Sequence, residues 1–123
     1  MGTRSTIALE RADGTVIQVY CHWDGYLSGV GAELYNHYNT PEKLEELLLM
    51  GDMSTLGKDL ENTIFYHRDR GEDMSLQSFQ CYDEFRVYGD NQGYNYLMSN
   101  GELFYSRESR VWKPLTEDLV QPQ

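Results

Sequence analysis

Two cysteines, three prolines and ten basic residues are few for a chain of 123 residues, and no apolar run approaches the ~20 residues that a membrane-crossing helix needs. Each scarcity excludes something. Cys21 and Cys81 are too few for the bridged scaffold of a small secreted domain. No apolar signal-peptide core follows Met1-Gly2-Thr3-Arg4-Ser5, so a reducing cytoplasm and free thiols are expected. Ten Lys and Arg against twenty Asp and Glu leave a net charge of −10. That balance disfavours direct binding to nucleic-acid phosphates or to an anionic membrane, which draws on Lys and Arg, and favours a basic protein partner. The sequence also lacks a Gly-x-Ser-x-Gly elbow, a phosphate-cradling glycine loop and an activating base beside either cysteine. A binding protein without catalytic residues or a cofactor is therefore expected, rather than an enzyme.

What is plentiful is aromatic: ten Tyr, four Phe and two Trp, side chains that offer rigid contact area with, in Tyr and Trp, a polar tip. Strands are expected at residues 4–10 and 15–21, where Ile7 and Leu9 alternate with polar neighbours and Val16, Ile17, Val19 and Tyr20 are strong β-formers. Asp13-Gly14 turns the chain between them. From Ser28 the spacing becomes helical, with Val30, Leu34, His37 and Tyr38 on one face. Thr40-Pro41 then opens a second helix. Thr40 can cap it, Pro41 sits where a missing N–H costs nothing, Glu42 suits the dipole, and Leu44, Leu47 and Leu48 form the buried stripe before Gly51.

Thr63–Arg68 reads as a further strand, residues 69–84 as an acidic loop with a short helix near Leu76–Phe79. Strands at 84–89, 93–99, 102–106 and 110–113 then form a meander around Gly89-Asp90-Asn91, Asn100-Gly101 and Arg107-Glu108-Ser109. Residues 116–123 read as a loose tail. With no repeat or linker, the chain is expected to be a single domain, 1–123, of the α+β class. Its sheet would be antiparallel, an N-terminal hairpin plus the C-terminal meander, with two helices inserted after the first hairpin. Edge strands of the meander, bearing Tyr94, Tyr96, Phe104 and Tyr105, would let two copies pair as a homodimer.

Two strings carry the candidate chemistry. In YCHWDGY, Tyr20–Tyr26, strand alternation points His22 and Asp24 one way and Cys21 and Trp23 the other, which spoils a joint Cys21/His22 metal site. Trp23 and Tyr26 are candidate contact residues, as is Asp24. The structural alternative is that Asp24 caps the turn, His22 makes a local hydrogen bond and Trp23 packs in the core. In YHRDRGED, Tyr66–Asp73, Arg68 and Arg70 would share one strand face and could hold a carboxylate or phosphate bidentately, with Asp69 anchoring the turn. Tyr66, Arg68, Asp69, Arg70 and Glu72 are the candidate residues here, and neutralisation within the fold is their structural alternative. Should the two strings lie side by side, His22, Asp24, His67 and Asp69 could converge on a divalent metal.

Charge adds a third element. Residues 42 to 90 hold twelve acids against five bases, a balance of −7. Glu42, Glu45 and Glu46 flank the leucine stripe of the second helix, so one solvent face of it should be strongly negative. Such a face steers toward a basic groove of the kind that holds nucleic acid, and solubility is its structural alternative.

Taken together, Thr3–Ile7, Asp13-Gly14-Thr15, YCHWDGY, His37-Tyr38-Asn39, Leu48–Ser54 with Leu56-Gly57, and Tyr66–Glu72 resemble a family of small phage- and prophage-encoded proteins of unassigned function. Leu27 stands where that family commonly has Pro. The likeness spans roughly residues 3 to 73. It implies a phage origin and a host-cytoplasmic accessory role, and with it an inhibitor of a host defence system, anti-CRISPR-like, acting by protein binding. Two rival expectations stand beside it. One is sequestration of a nucleotide signal, with Trp23, Tyr26 or Tyr66 stacking the base and Arg68/Arg70 holding phosphate. The other is a metal-dependent enzyme built on the two His-x-Asp strings.

Overall fold

Local signals build the first elements as expected. β1 (Ser5–Glu10) and β2 (Val16–Cys21) pair antiparallel across the Asp13-Gly14 turn, with Ile7 opposite Val19 and Leu9 opposite Ile17. The computed structural model describes residues 3–122. A π-helical turn, Leu27–Gly31, leads into α1 (Ala32–His37), and α2 (Pro41–Leu48) follows. Thr40 caps α2 by accepting from the Lys43 N–H (3.2 Å), and Pro41 occupies its first turn, as its sequence demands. The order continues through β3 (Met53–Thr55), β4 (Ile64–Phe65), α3 (Tyr66–Arg70), β5 (Gln77–Phe79) and α4 (Tyr82–Tyr88). β6 (Tyr94–Ser99), β7 (Glu102–Ser106), β8 (Lys113–Pro114) and α5 (Glu117–Val120) complete it. Among the described residues no helix is long and apolar enough to cross a membrane.

The class is α+β, but the eight-stranded sheet is mixed rather than antiparallel. Its order is β4-β3-β2-β1-β6-β7-β8, with β5 on the free part of β2. β1 runs parallel to β6, Ile7 beside Tyr96, and β2 runs parallel to β3 at Cys21–Met53. Each parallel pair is joined by a long crossover that carries helices, the connection parallel neighbours require. Of the meander strands expected at an edge, β6 lies inside the sheet and the short β8 takes the edge position. β6 lies between β1 and β7, β8 covers β7, and Tyr96 is fully buried.

Alternation along the strands divides the side chains between two faces. One face carries the main core: Ile7, Leu9, Ile17, Val19, Cys21, Met53, Phe65, Tyr96 and Met98 pack against Val30, Leu34 and Tyr38 and the Leu44/Leu47/Leu48 stripe of α2. His37, placed on the apolar side by its spacing, is exposed, while Tyr38 is buried with its hydroxyl donating to the Gly57 carbonyl (2.8 Å). Residues 117–120, expected within a loose tail, form α5 and bury Val120 beside Leu115 in this core; Gln123 lies outside the described residues.

The opposite face holds a smaller cluster, Ala8, Val16, Phe79, Phe85 and Leu97, with Tyr82 and Trp112 against it. Here two expectations are corrected. The strand expected at 84–89 is instead part of the helix Tyr82–Tyr88, in which Phe85 turns its ring onto Phe79 (5.6 Å between centroids) and Trp112 (6.4 Å). Residues 77–79 are a strand rather than a helix, pairing Gln77 to Phe79 with β2. At the C-terminal end of α4, the Arg110 guanidinium donates to the carbonyls of Arg86 and Gly89, a cap supplied from a distant loop. Of the last expected meander strand, 110–113, only Lys113 pairs, together with Pro114.

Candidate functional site

The end of β2 is the place to begin. Beyond Cys21 the backbone keeps pairing with β3, the His22 N–H donating to the Met53 carbonyl (3.1 Å) and the Trp23 N–H to that of Ser54 (3.0 Å). β3 in turn takes β4, Met53 opposite Phe65, and α3 starts at the next residue. Three rungs therefore stand side by side, residues 20–23, 52–54 and 65–70. They bring YCHWDGY and YHRDRGED together, although thirty-nine residues separate them in the chain. Cys21, Met53 and Phe65 point into the main core.

Tyr20 and His22 emerge on the other side, the Tyr20 hydroxyl 2.7 Å from His22 Nδ1. The His22 ring meets Trp23 edge-on at 4.8 Å. Trp23 is 42% exposed and Tyr26 40% exposed, so the tryptophan is a surface residue and the packing alternative fails. The reason is the turn that follows. Gly25 passes so close to β1 that a Cβ there would stand 2.7 Å from Ser5 Cβ and from the Thr3 carbonyl oxygen. That approach swings Asp24 into the left-handed region (φ 59°) and ends the strand alternation that would have aligned Asp24 with His22. The Asp24 carbonyl accepts from the Val30 N–H (2.8 Å), and its carboxylate accepts from the Tyr26 hydroxyl (3.3 Å). Asp24 thus serves the turn.

The second string departs from its expected form as well. Thr63–Arg68 is not one strand. Asp69 accepts from the Phe65 N–H (2.8 Å), tying off the chain there as α3 begins. Arg68, bound to the same carboxylate through Nε (2.9 Å) and Nη2 (3.0 Å), also donates to the Thr63 carbonyl and lies over the Phe65 ring. The Arg68 hydrogen bonds, with that of the Phe65 N–H, hold Asp69 below the ordinary carboxylate range. Arg70 lies 5.3 Å from the Tyr66 ring centre and donates to Ser54 Oγ (3.4 Å). The two arginines therefore act separately: Arg68 is committed inside the fold, and Arg70 reaches across to β3. Gly71, left-handed at φ 68°, ends the helix, and exposed Glu72 follows, its carbonyl 2.8 Å from His67 Nδ1.

These positions do not build a metal centre. His22 is engaged by Tyr20, His67 by the Glu72 carbonyl and Asp69 by Arg68. Among the described residues no three His, Cys, Asp or Glu side chains cluster to hold an ion.

Sequence reasoning missed the polar hollow beside the first rung, a pocket of about 180 Å³ lined by Gln18, Tyr20, Asp52, Ser75, Gln77 and Asp90. Asp52 fills a gap in the sheet between β3 and β5. Its Oδ1 accepts from the Tyr20 N–H (2.9 Å), its own N–H donates to the Ser75 carbonyl and its carbonyl accepts from Tyr66. Burial pushes the Asp52 carboxyl above its ordinary range, and the Asp90 carboxylate adds to that shift. The available signal was Gly51-Asp52, a left-handed glycine (φ 86°) and a polar residue placed between a helix end and a β-forming triplet.

Around α2 the three glutamates are divided. Glu45 pairs with Arg11 (3.2 Å), whereas Glu42 and Glu46 are exposed. Glu46 shares its surroundings with Lys43, Lys58 and Asp59. In comparisons with protein-family models, curated proteins and solved structures, the chain matches none.

Proposed function

We propose that the protein is a phage accessory protein of the host cytoplasm that inhibits a host defence system, anti-CRISPR-like, by binding a basic protein groove through an acidic and aromatic surface. The observation that carries this reading is the shortage of internal counter-ions. The chain has twenty acids, and among the described residues three ion pairs form, Arg11–Glu45, Arg68–Asp69 and Arg86–Asp83. Most of the negative charge therefore faces solvent, where it accelerates encounter with a positive partner. Exposed Trp23 and Tyr26 supply the anchor type that dominates interface energetics.

Nucleotide sequestration draws less support. Arg68 is tied to Asp69 and the Thr63 carbonyl, and the hollow near Tyr66 is lined by the carboxylates of Asp52 and Asp90, which repel phosphate. The metal-dependent reading lacks a ligand cluster among the described residues.

Affinity capture from host lysate, followed by mass spectrometry, tests the proposal. Recovery of a basic, nucleic-acid-binding defence component at low salt, lost as salt rises, is the expected result. Capture of no specific basic protein at low salt removes the reading.

A further inference from the structure

The strand order ends at β4 and β8, and a terminal strand offers its outward backbone groups to any further strand. β8 is two residues long and ends in Pro114, which has no N–H to offer. β4 has no such protection in its sequence: Thr63-Ile64-Phe65-Tyr66 is a run of strong β-formers. Its backbone directions are fixed by Tyr66, whose N–H turns inward to the Asp52 carbonyl (3.2 Å). Successive residues alternate sides, so the Phe65 N–H and the Thr63 carbonyl face outward. Side chains of α3 fill both. Asp69 Oδ2 accepts from the Phe65 N–H (2.8 Å), and Arg68 Nη2 donates to the Thr63 carbonyl (2.9 Å). The two side chains are bonded to each other, Arg68 Nε to Asp69 Oδ1 at 2.9 Å. Together they supply the one donor and the one acceptor that a single residue of an added parallel strand would present to the neighbours of Ile64.

We infer that the Arg68–Asp69 pair is an edge plug, which occupies the strand-accepting position of β4 and keeps a second copy of this chain from pairing there. The occupant it excludes follows from symmetry. About a two-fold axis at Ile64, the Phe65 N–H of each copy would meet the Thr63 carbonyl of the other, so the bared edge is its own complement. Ile64, 41% exposed, would face its twin across that axis and lose contact with water. The strength of the ion pair does not account for the arrangement. Its side chains are 36% and 33% exposed, and exposed pairs contribute little to stability. What distinguishes this pair is where its polar atoms end, on the two outward groups of an edge strand.

Sedimentation velocity of the full chain across a concentration series is the test. Arg68→Ala with Asp69→Ala removes the plug and leaves the net charge unchanged, so altered repulsion cannot produce the result. Self-association should tighten by at least about tenfold relative to the unaltered chain. Adding Ile64→Lys to that variant should restore the behaviour of the unaltered chain, because two like charges would then meet across the axis. Arg86→Ala with Asp83→Ala removes the ion pair of α4 instead, and should change association by less than about twofold. Four outcomes overturn the plug. The first is a plug-free variant that thermal melting shows folded and that associates no more than the unaltered chain. The second is association that survives Ile64→Lys, and the third is equal association by the Arg86/Asp83 variant. The fourth is loss of the fold in the plug-free variant, since a pair without which the chain cannot fold is a brace.

Discussion

The two faces of one sheet solve different problems with alternate residues of the same strands. On the first face Ile7, Val19, Tyr96 and Met98 bury aliphatic and aromatic surface beneath α1 and α2, and position depends on packing. On the second face, next to Ala8 and Leu97, the strands present Thr6, Gln18 and Asn95, all buried. There position depends on hydrogen bonds. Thr6 donates to Asn95 Oδ1 (2.7 Å), which also accepts from the Gln92 N–H (3.0 Å), and Asn95 Nδ2 donates to Asn91 Oδ1 (2.8 Å). The Gln18 amide meets both the N–H and the carbonyl of Asp90, each at 2.9 Å, as a backbone peptide would. The apolar face holds the fold together; the polar face fixes the loop that follows α4 and places Asp90 at the hollow beside Asp52.

The sharpest contrast is in what truncation costs. Leu47 is fully buried under the main core, and Leu47→Ala should lose about 3 kcal/mol, within the ~2–5 kcal/mol range for buried leucine truncations, read from the urea unfolding midpoint. On the polar face Asn95→Ala should lose less, about 1–3 kcal/mol, because it strands the buried Thr6 hydroxyl. Thr6→Val combined with Asn95→Ala should then cost less than the two single changes together, with about 1 kcal/mol of coupling. Simple additivity would mean that the face is held by packing after all.

The same contrast governs how much was legible in the sequence. β1, β2, α2 and the β6–β7 hairpin carry their own signals: alternation, the Asp13-Gly14 and Asn100-Gly101 turns, and the Thr40-Pro41 start. The second face does not. Tyr82 to Tyr88 contains Phe85, Val87 and Tyr88, good β-formers, yet the segment coils because a single ring, Phe85, is buried between Phe79 and Trp112, a tertiary demand that overrides propensity. The parallel pairing of β1 with β6 joins strands from opposite ends of the chain and leaves no local trace. At the candidate site, the two strings were recognisable, but their adjacency depends on β3, a three-residue strand too short to show periodicity. The left-handed Asp24 exposes Trp23 for a reason visible only when Gly25 is seen against β1.

The smallest expected effects, and the ones most specific to the site, are those of pH. Asp52 and Asp69 stand on adjacent rungs and are shifted in opposite directions from the ordinary carboxyl value of 3.8. For Asp69 the folded state favours the ionised form, chiefly through Arg68. Its contribution to stability is complete above the unfolded pKa and is lost as pH falls through the lower folded one. Asp69→Asn should therefore destabilise at neutral pH, and the difference should shrink as the pH drops below about 3.8. For Asp52 burial favours the neutral form, so the ionised carboxylate is a penalty present above the raised folded pKa and relieved as the pH falls toward 3.8. Asp52→Asn keeps an oxygen for the Tyr20 N–H and removes that penalty. It should stabilise the fold slightly at pH 7 and converge with the unaltered chain in acid. Thermal melts across pH 3 to 7 read both. A loss of stability in Asp52→Asn at neutral pH would show that the carboxylate's charge, rather than its acceptor oxygen, closes the gap between β3 and β5.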